Sequence, residues 1–251
     1  MSEIITAKEN SIFSITLNRP EKRNALNDAL INSLKNTLQE ANNDESLRAI
    51  VIKGAGKDFC SGADLSALQK ISESDVLENL EDAESLMELF VLMRKIKIPI
   101  IAAVHGRALA GGCGLATACD IVLASKSAQF GYPEVKIGFV PAMVMAILRR
   151  NLSEKRSFEL TTQGFNFSAD EAENFGLINR VFEDENFEDD VQSYVSVYEK
   201  VSRSAVTLSK KLLYQMDGMT FDTAIEVGAE VNTIARLTED CQKGIARFLD
   251  K

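Results

Sequence analysis

The chain opens on alternation. "IITAKE" (4–9) and "SIFSITL" (11–17) set Ile12, Ser14 and Thr16 against Phe13, Ile15 and Leu17. That period of two predicts two strands joined at Asn10–Ser11. A polar loop, "NRPEKRNAL" (18–26), follows, punctuated by Pro20. Asn27 or Asp28 can then cap a helix, because Leu30, Ile31, Leu34, Leu38 and Ala41 recur at helical spacing. "LRAIVIKGAG" (47–56) predicts a strand ending in glycines. The order then repeats. "FCSGADLSAL" (59–68) turns from loop into helix, and "VLENLEDAESLMELFVLMRKI" (76–96) predicts a longer one. Pro99 stops that helix, and "IPIIAAVHG" (98–106) predicts a buried strand.

The stretch "AGGCGLATACD" (110–120) holds three glycines and three alanines, and nothing before Asp120 readily carries a charge. "DIVLAS" (120–125) predicts a strand whose first residue satisfies backbone donors, and "AQFGYPEVKIGF" (128–139) follows. After about Asn151 the pattern changes. Ser168 and Glu171 have capping-box spacing, and Gly176 closes that helix before a short strand. From about Phe187 the chain reads as helical to its end. Strands without polar alternation, interleaved with helices, imply an α/β architecture with covered sheets, built from repeated strand–strand–helix units. The expected division is a core over 1–195 and a helical region over 196–251.

Composition narrows the chemistry. The 251 residues, 45% hydrophobic, suffice for a substantial core, and the net charge of −9 argues against nucleic-acid binding through a basic face. There is no apolar run of about 18 residues to span a membrane and no apolar leader in "MSEIITAKENS". Cys60, Cys113, Cys119 and Cys241 lack C-x-x-C spacing, so free thiols in a cytoplasmic protein are expected. The one histidine, His105, rules out a multi-histidine metal site, and no metal is expected. At a strand end before a glycine, it reads as structural.

Two turns, "FCSGADL" (59–65) and "LAGGCGL" (109–115), each follow a strand and lead into a helix. Amides at such helix starts are unpaired and carry partial positive charge, so two converging on one point can hold an oxygen that gains negative charge. Each turn alone also fits a ligand-free bend. Glu134, fixed behind Tyr132 and Pro133 and flanked by apolar residues, has the surroundings that raise a carboxyl pKa toward neutrality. Alone, it also fits a surface turn.

Together these blocks resemble the enoyl-CoA hydratase/isomerase (crotonase) superfamily over nearly the whole chain. The carriers are "ITLNRPEKRNAL" (15–26), "FCSGADL" (59–65), "PIIAAVHGRALAGGCGLATACDIVLAS" (99–125), "FGYPEVKIGFVP" (130–141) and "SADEAENFGLINRVF" (168–182). The resemblance implies a crotonase-like spiral of β-β-α units with a helical C-terminal region. It implies an acyl-CoA substrate, no other cofactor, and assembly as homotrimers or homohexamers. The thioester oxygen would be held by the amides of Ala63 and Gly111, and protons moved by Glu134. CoA would contact Lys22, Ala25, Leu26, Cys60, Ser61, Gly62 and Asp64, with Arg19 and Arg23 adding positive charge. Phe248 and Lys251 would reach the CoA of a neighbouring subunit.

Two departures matter. Typical hydratases have a second glutamate where this chain has Gly114, and often read P-G-x-G-G where it has "PAMVM" (141–145). Ala142, Met143, Val144 and Met145 should make that wall bulkier and drier. Hydration of a 2-enoyl-CoA, including branched methylglutaconyl-type substrates, is one reading, with Glu134 as proton carrier. Isomerisation of a 3-enoyl-CoA by one carboxylate is another. A non-catalytic acyl-CoA binding protein is a third. A serine peptidase on a related fold is disfavoured, because no serine occupies the 110–120 motif.

Overall fold

The computed structural model describes residues 2–250, apart from the side chains of Leu65, Ser66 and Leu68. In chain order come β1 (Ile4–Glu9), β2 (Ile12–Leu17), α1 (Asp28–Asn43), β3 (Ala49–Gly54), α2 (Leu65–Glu73), α3 (Val76–Lys95) and β4 (Ile100–Val104). Then follow β5 (Arg107–Leu109), α4 (Gly111–Thr117), β6 (Ile121–Ser125), β7 (Gln129–Gly131), α5 (Ala142–Asn151) and α6 (Glu154–Gln163). The remainder is β8 (Asn166–Ser168), α7 (Ala169–Phe175), β9 (Arg180–Phe182), α8 (Phe187–Val195), α9 (Val197–Lys200), α10 (Arg203–Gln215), α11 (Phe221–Arg236) and α12 (Glu239–Leu249).

One sheet runs β1-β2-β3-β4-β6-β9, antiparallel at the β1–β2 hairpin and parallel elsewhere. Side chains alternate across it, and both faces of its central strands are covered. Ile15, Leu17, Ile50, Ile52, Ile100, Ala102, Val104, Val122 and Ala124 join the main core with α1 and α3. The opposite positions, Ile12, Ala49, Val51, Ile101, Ala103 and Leu123, pack against Phe187, Val191 and Val195 of α8. This second cover is why the central strands carry no polar alternation. It is the α/β spiral of β-β-α units expected from the sequence.

A smaller sheet, β5-β7-β8, positions the chemistry. β5 feeds directly into α4, and β7 feeds into a 3-10 turn at Pro133–Ile137. The loop before α2 is stitched to β5 by a bridge between Cys60 and Ala108, and to the 19–26 loop by one between Leu26 and Ala63.

Several local expectations hold in detail. Asn27 caps α1 by accepting from Leu30 N, the Ser168–Glu171 box is reciprocal, and Gly176 ends α7 at φ 82°. A second box, Asp75 with Glu78, starts α3. The strand expected at 98–106 is shorter, because Pro99 supplies no N–H and Gly106 turns at φ +58°. All four cysteines are free thiols. α10 is locked to the core by Lys210, whose ammonium donates to Met93 O, Ile98 O and, at 2.6 Å, to Asp120 Oδ2. Asp120 also accepts from Ile100 N and from Tyr214 OH, so it does satisfy backbone, and more. Among the described residues no helix is long and apolar enough to cross a membrane.

Candidate active site

The 19–26 loop is shaped by a residue with no conspicuous sequence signal. Asn24 is fully buried; its side chain accepts from Arg19 N and donates to Ala55 O and Asp58 O. Arg23 and Asn24 both adopt left-handed conformations, at φ 51° and 54°. Arg19 is not a free cation. It pairs with buried Asp64 at 2.6 Å and with Glu3 at 2.9 Å, and also donates to Ala25 O. Arg19 and Asp64 therefore hold the two loops together, leaving Lys22 and Arg23 as the exposed cations there, beside exposed Glu21. Ala25, Leu26, Cys60 and Gly62 are buried, and Ser61 is half-buried.

On the same loop, Asp58 is buried and gripped by Arg107, through Nε and Nη2 at 2.9 and 3.1 Å and through its backbone N–H at 3.0 Å. Burial alone would raise the Asp58 pKa, but these bonds outweigh it and hold the carboxyl below its usual range. His105 Nε2 lies 2.9 Å from Gly56 O, a structural contact.

Leu26 N donates to Gly62 O and Asp64 N to Leu26 O, which turns the amide of exposed Ala63 away from the loop. Among the described residues, neither Ala63 N nor Gly111 N donates to a protein acceptor. Gly111 N stands at the start of α4, where the helix dipole adds partial positive charge. Ala110 before it holds φ 50° and ψ −127°, a conformation that an L residue adopts only under strain. Its own N–H is anchored on Gly131 O at 2.8 Å. The two turns are in contact: a Cβ on Gly62 would lie 2.9 Å from Ala110 Cβ, and one on Gly111 would lie 3.2 Å from Leu26 Cδ1. Gly112 is more constrained, since a Cβ there would fall 2.2 Å from Cys60 O.

Glu134 sits in the 3-10 turn after β7, half-buried, with Oε2 shut off from solvent. Among the described residues that oxygen has no hydrogen-bond partner. Burial raises the Glu134 pKa, opposed only by its own backbone N–H. The turn is tied to α4 through Tyr132, whose hydroxyl lies 3.3 Å from Thr117 Oγ1. Glu134 is close enough for its charge to act on both Cys113 and Tyr132. Burial pushes the Cys60 and Cys113 thiols up to about 12, which leaves them protonated and unreactive.

Gly114, three residues into α4 from Gly111, faces an apolar wall. A Cβ there would meet Val144 Cγ2 at 2.9 Å and Phe90 Cζ at 3.3 Å, and both residues are buried. Phe90 also lines a cavity of about 410 Å³ of mixed character, where Met87, Met143 and Ile147 stand beside Arg94, Asp120 and Arg150. Of the "PAMVM" residues, Val144 is buried and Met143 packs on the core, whereas Met145 is exposed. Phe248, on α12, is 79% exposed, and Lys251 lies outside the described residues.

Two outward amides, a desolvated carboxylate and the β-β-α spiral now stand beside a direct comparison: the enoyl-CoA hydratase/isomerase profile matches residues 7–251. The chain belongs to the enoyl-CoA hydratase/isomerase family. A Thermus thermophilus relative is 36% identical over 248 residues, covering 99% of this chain and 98% of the relative. An Escherichia coli K12 protein named 2,3-dehydroadipyl-CoA hydratase is 33% identical over 252 residues, covering 100% and 97%. The solved structure of an enoyl-CoA hydratase from Mycobacterium smegmatis superposes with a TM-score of 0.94 at 28% identity, covering 99% of this chain and 96% of that one. The chain is thus an enzyme of the crotonase type by family and by fold.

Asn24, the Asp58–Arg107 pair, the strained Ala110 and Phe90 were not singled out by the sequence. Asn24 and Asp58 act on loops distant in sequence, so neither spacing nor periodicity marks them. Phe90 does lie in a predicted helix, but only tertiary packing brings it to Gly114.

Proposed function

We propose that this enzyme hydrates 2-enoyl-CoA thioesters through a C2 enolate, with Glu134 as the carboxyl that moves protons. The observation carrying this is the buried, unpartnered Oε2 of Glu134, with its raised pKa, on a turn tied to the helix that presents Gly111 N. The amides of Ala63 and Gly111 would hold the thioester oxygen as it becomes negative. Loss of one such donor typically costs about 2.7–4 kcal/mol of barrier. Protonated Glu134 delivers its proton to C2 while water adds to C3, and the proton lost by that water returns to the carboxylate. Burial raises the Glu134 pKa and so favours the protonated carboxyl that the step requires. The names carried by the relatives favour this direction, and a branched, methylglutaconyl-type substrate is included in the proposal.

Isomerisation of a 3-enoyl-CoA is the second reading, favoured by Gly114. With no carboxyl at that position, Glu134 would take a proton from C2 and return it at C4, and no water would take part.

Around this centre we place CoA on Lys22, Ala25, Leu26 and the 60–64 segment, with Arg23 rather than Arg19 beside the phosphates, because Arg19 is already paired. CoA arrives as part of the substrate and no further cofactor is proposed. Phe221, Leu237, Phe248 and Leu249 are each at least 75% exposed, an apolar surface suited to burial in a trimer or hexamer. There Phe248 and Lys251 would meet a neighbour's CoA. A cytoplasmic location and a 1–195 core with a 196–251 helical region complete the proposal.

The test is mass spectrometry of products from matched 2-enoyl-CoA and 3-enoyl-CoA substrates. Gain of one water by the 2-enoyl-CoA supports hydration. A shifted double bond at unchanged mass replaces it with isomerisation, and no conversion of either substrate contradicts both.

A further inference from the structure

Position 114 is more than a missing acid. The space into which its side chain would project is occupied: Val144 Cγ2 stands 2.9 Å and Phe90 Cζ 3.3 Å from a Cβ built on Gly114. The first distance is shorter than real Cβ atoms tolerate, and the second requires the ring to give way. Val144 is 5% and Phe90 8% exposed, so neither can be displaced into solvent without opening the core. They differ in freedom, however. Phe90 also borders the cavity of about 410 Å³, whereas Val144 does not line it and is a stiff β-branched side chain on α5. Val144 is the firmer obstacle.

We infer that Val144 and Phe90 form an apolar plug that sets the balance between water addition and proton transfer without water. This rests on the reading of Glu134 as the proton carrier. The plug occupies the place from which a second acid would hold and activate water. Its methyl and ring carbons offer water no hydrogen bond, so water held there would leave its own bonds unmade. The enolate can form and collapse beside the plug, because that needs only Glu134 and the two amides. Water addition then depends on Glu134 without help from a second carboxyl. Gly114 is therefore coupled to Val144: an acid can return to position 114 only if Val144 yields first.

The test compares wild type, Gly114→Glu, Val144→Ala, Val144→Gly and Gly114→Glu/Val144→Gly. Three quantities are read: melting temperature, hydration of a 2-enoyl-CoA, and solvent-deuterium uptake at C2 of a saturated acyl-CoA, which needs no added water. Gly114→Glu alone should lower the melting temperature without raising hydration. Combination with Val144→Gly should recover much of that loss and raise the ratio of hydration to deuterium uptake at least tenfold over wild type. Val144→Ala, the mildest change, should raise the ratio severalfold and covers the case in which the double variant does not fold. A Gly114→Glu protein as stable as wild type that gains hydration, or Val144→Ala and double variants with an unchanged ratio, overturns the plug. Failure of the underlying reading looks different: deuterium uptake would then persist in Glu134→Gln, while the stability coupling between positions 114 and 144 could still be present.

Discussion

Ala110 Cβ stands 2.9 Å from where a Cβ on Gly62 would lie, so the two turns presenting Ala63 N and Gly111 N are packed directly on each other. Gly62 also holds φ +103°, a conformation that L side chains rarely adopt. Gly62→Ala should therefore displace both amides at once. We expect kcat/KM to fall by about 10²-fold or more, the scale of losing one oxyanion donor, with a lower melting temperature. Steady-state kinetics and thermal denaturation of the purified variant check this.

Ala110 is strained in its own right at φ 50° and ψ −127°. Glycine would relieve a strain of about 1–3 kcal/mol and lose about 0.5–1 kcal/mol to added chain entropy. Ala110→Gly should be at least as stable as wild type in urea titration. It should nonetheless turn over more slowly, because the amide of Gly111 is less firmly aimed.

The pH dependence of stability carries the signature of Glu134. Burial raises its folded pKa above 4.5, so ionisation of the carboxyl opposes folding. Below 4.5 the group is neutral in both states and carries no penalty. As pH rises through the elevated folded pKa, the penalty appears in full. Glu134→Gln removes it, so the variant should melt higher than wild type at pH 7, with the difference shrinking toward zero below 4.5. Paired melting curves across that range read the effect, and a difference independent of pH would refute the desolvated carboxylate.

Lys210 tests how α10 is held. It is 7% exposed at the side chain and donates to Asp120, Met93 O and Ile98 O. Lys210→Met strips the half-buried Asp120 of its cation and should cost about 3–5 kcal/mol in denaturant titration. Adding Asp120→Asn should return part of that, since a neutral amide needs no counter-charge.

The legible part of this protein was that governed by local pattern. Helical spacing from Leu30 to Ala41, the Ser168–Glu171 box and Gly176 announce elements that the structure contains. The uninterrupted apolar run Ile100–Val104 announces a strand covered on both faces, as α8 and the main core provide. The parts that escaped depend on distant partners. Arg19 reads as a loop cation, yet pairing with Asp64, 45 residues away, removes it from the exposed charges. Gly114 reads as the absence of an acid, yet only packing against α3 and α5 shows that Phe90 and Val144 fill the place. Met145 reads as part of the dry wall, but the turn of α5 sends it to the surface.

In the proposed chemistry Glu134 carries the proton at C2 while the amides of Ala63 and Gly111 hold the enolate. Incubation of an acyl-CoA in deuterium oxide with wild type and with Glu134→Gln, read by mass spectrometry, tests it most directly. Wild type should place deuterium at C2, and a folded Glu134→Gln protein should place none above the uncatalysed rate. Equal uptake by both proteins would contradict it.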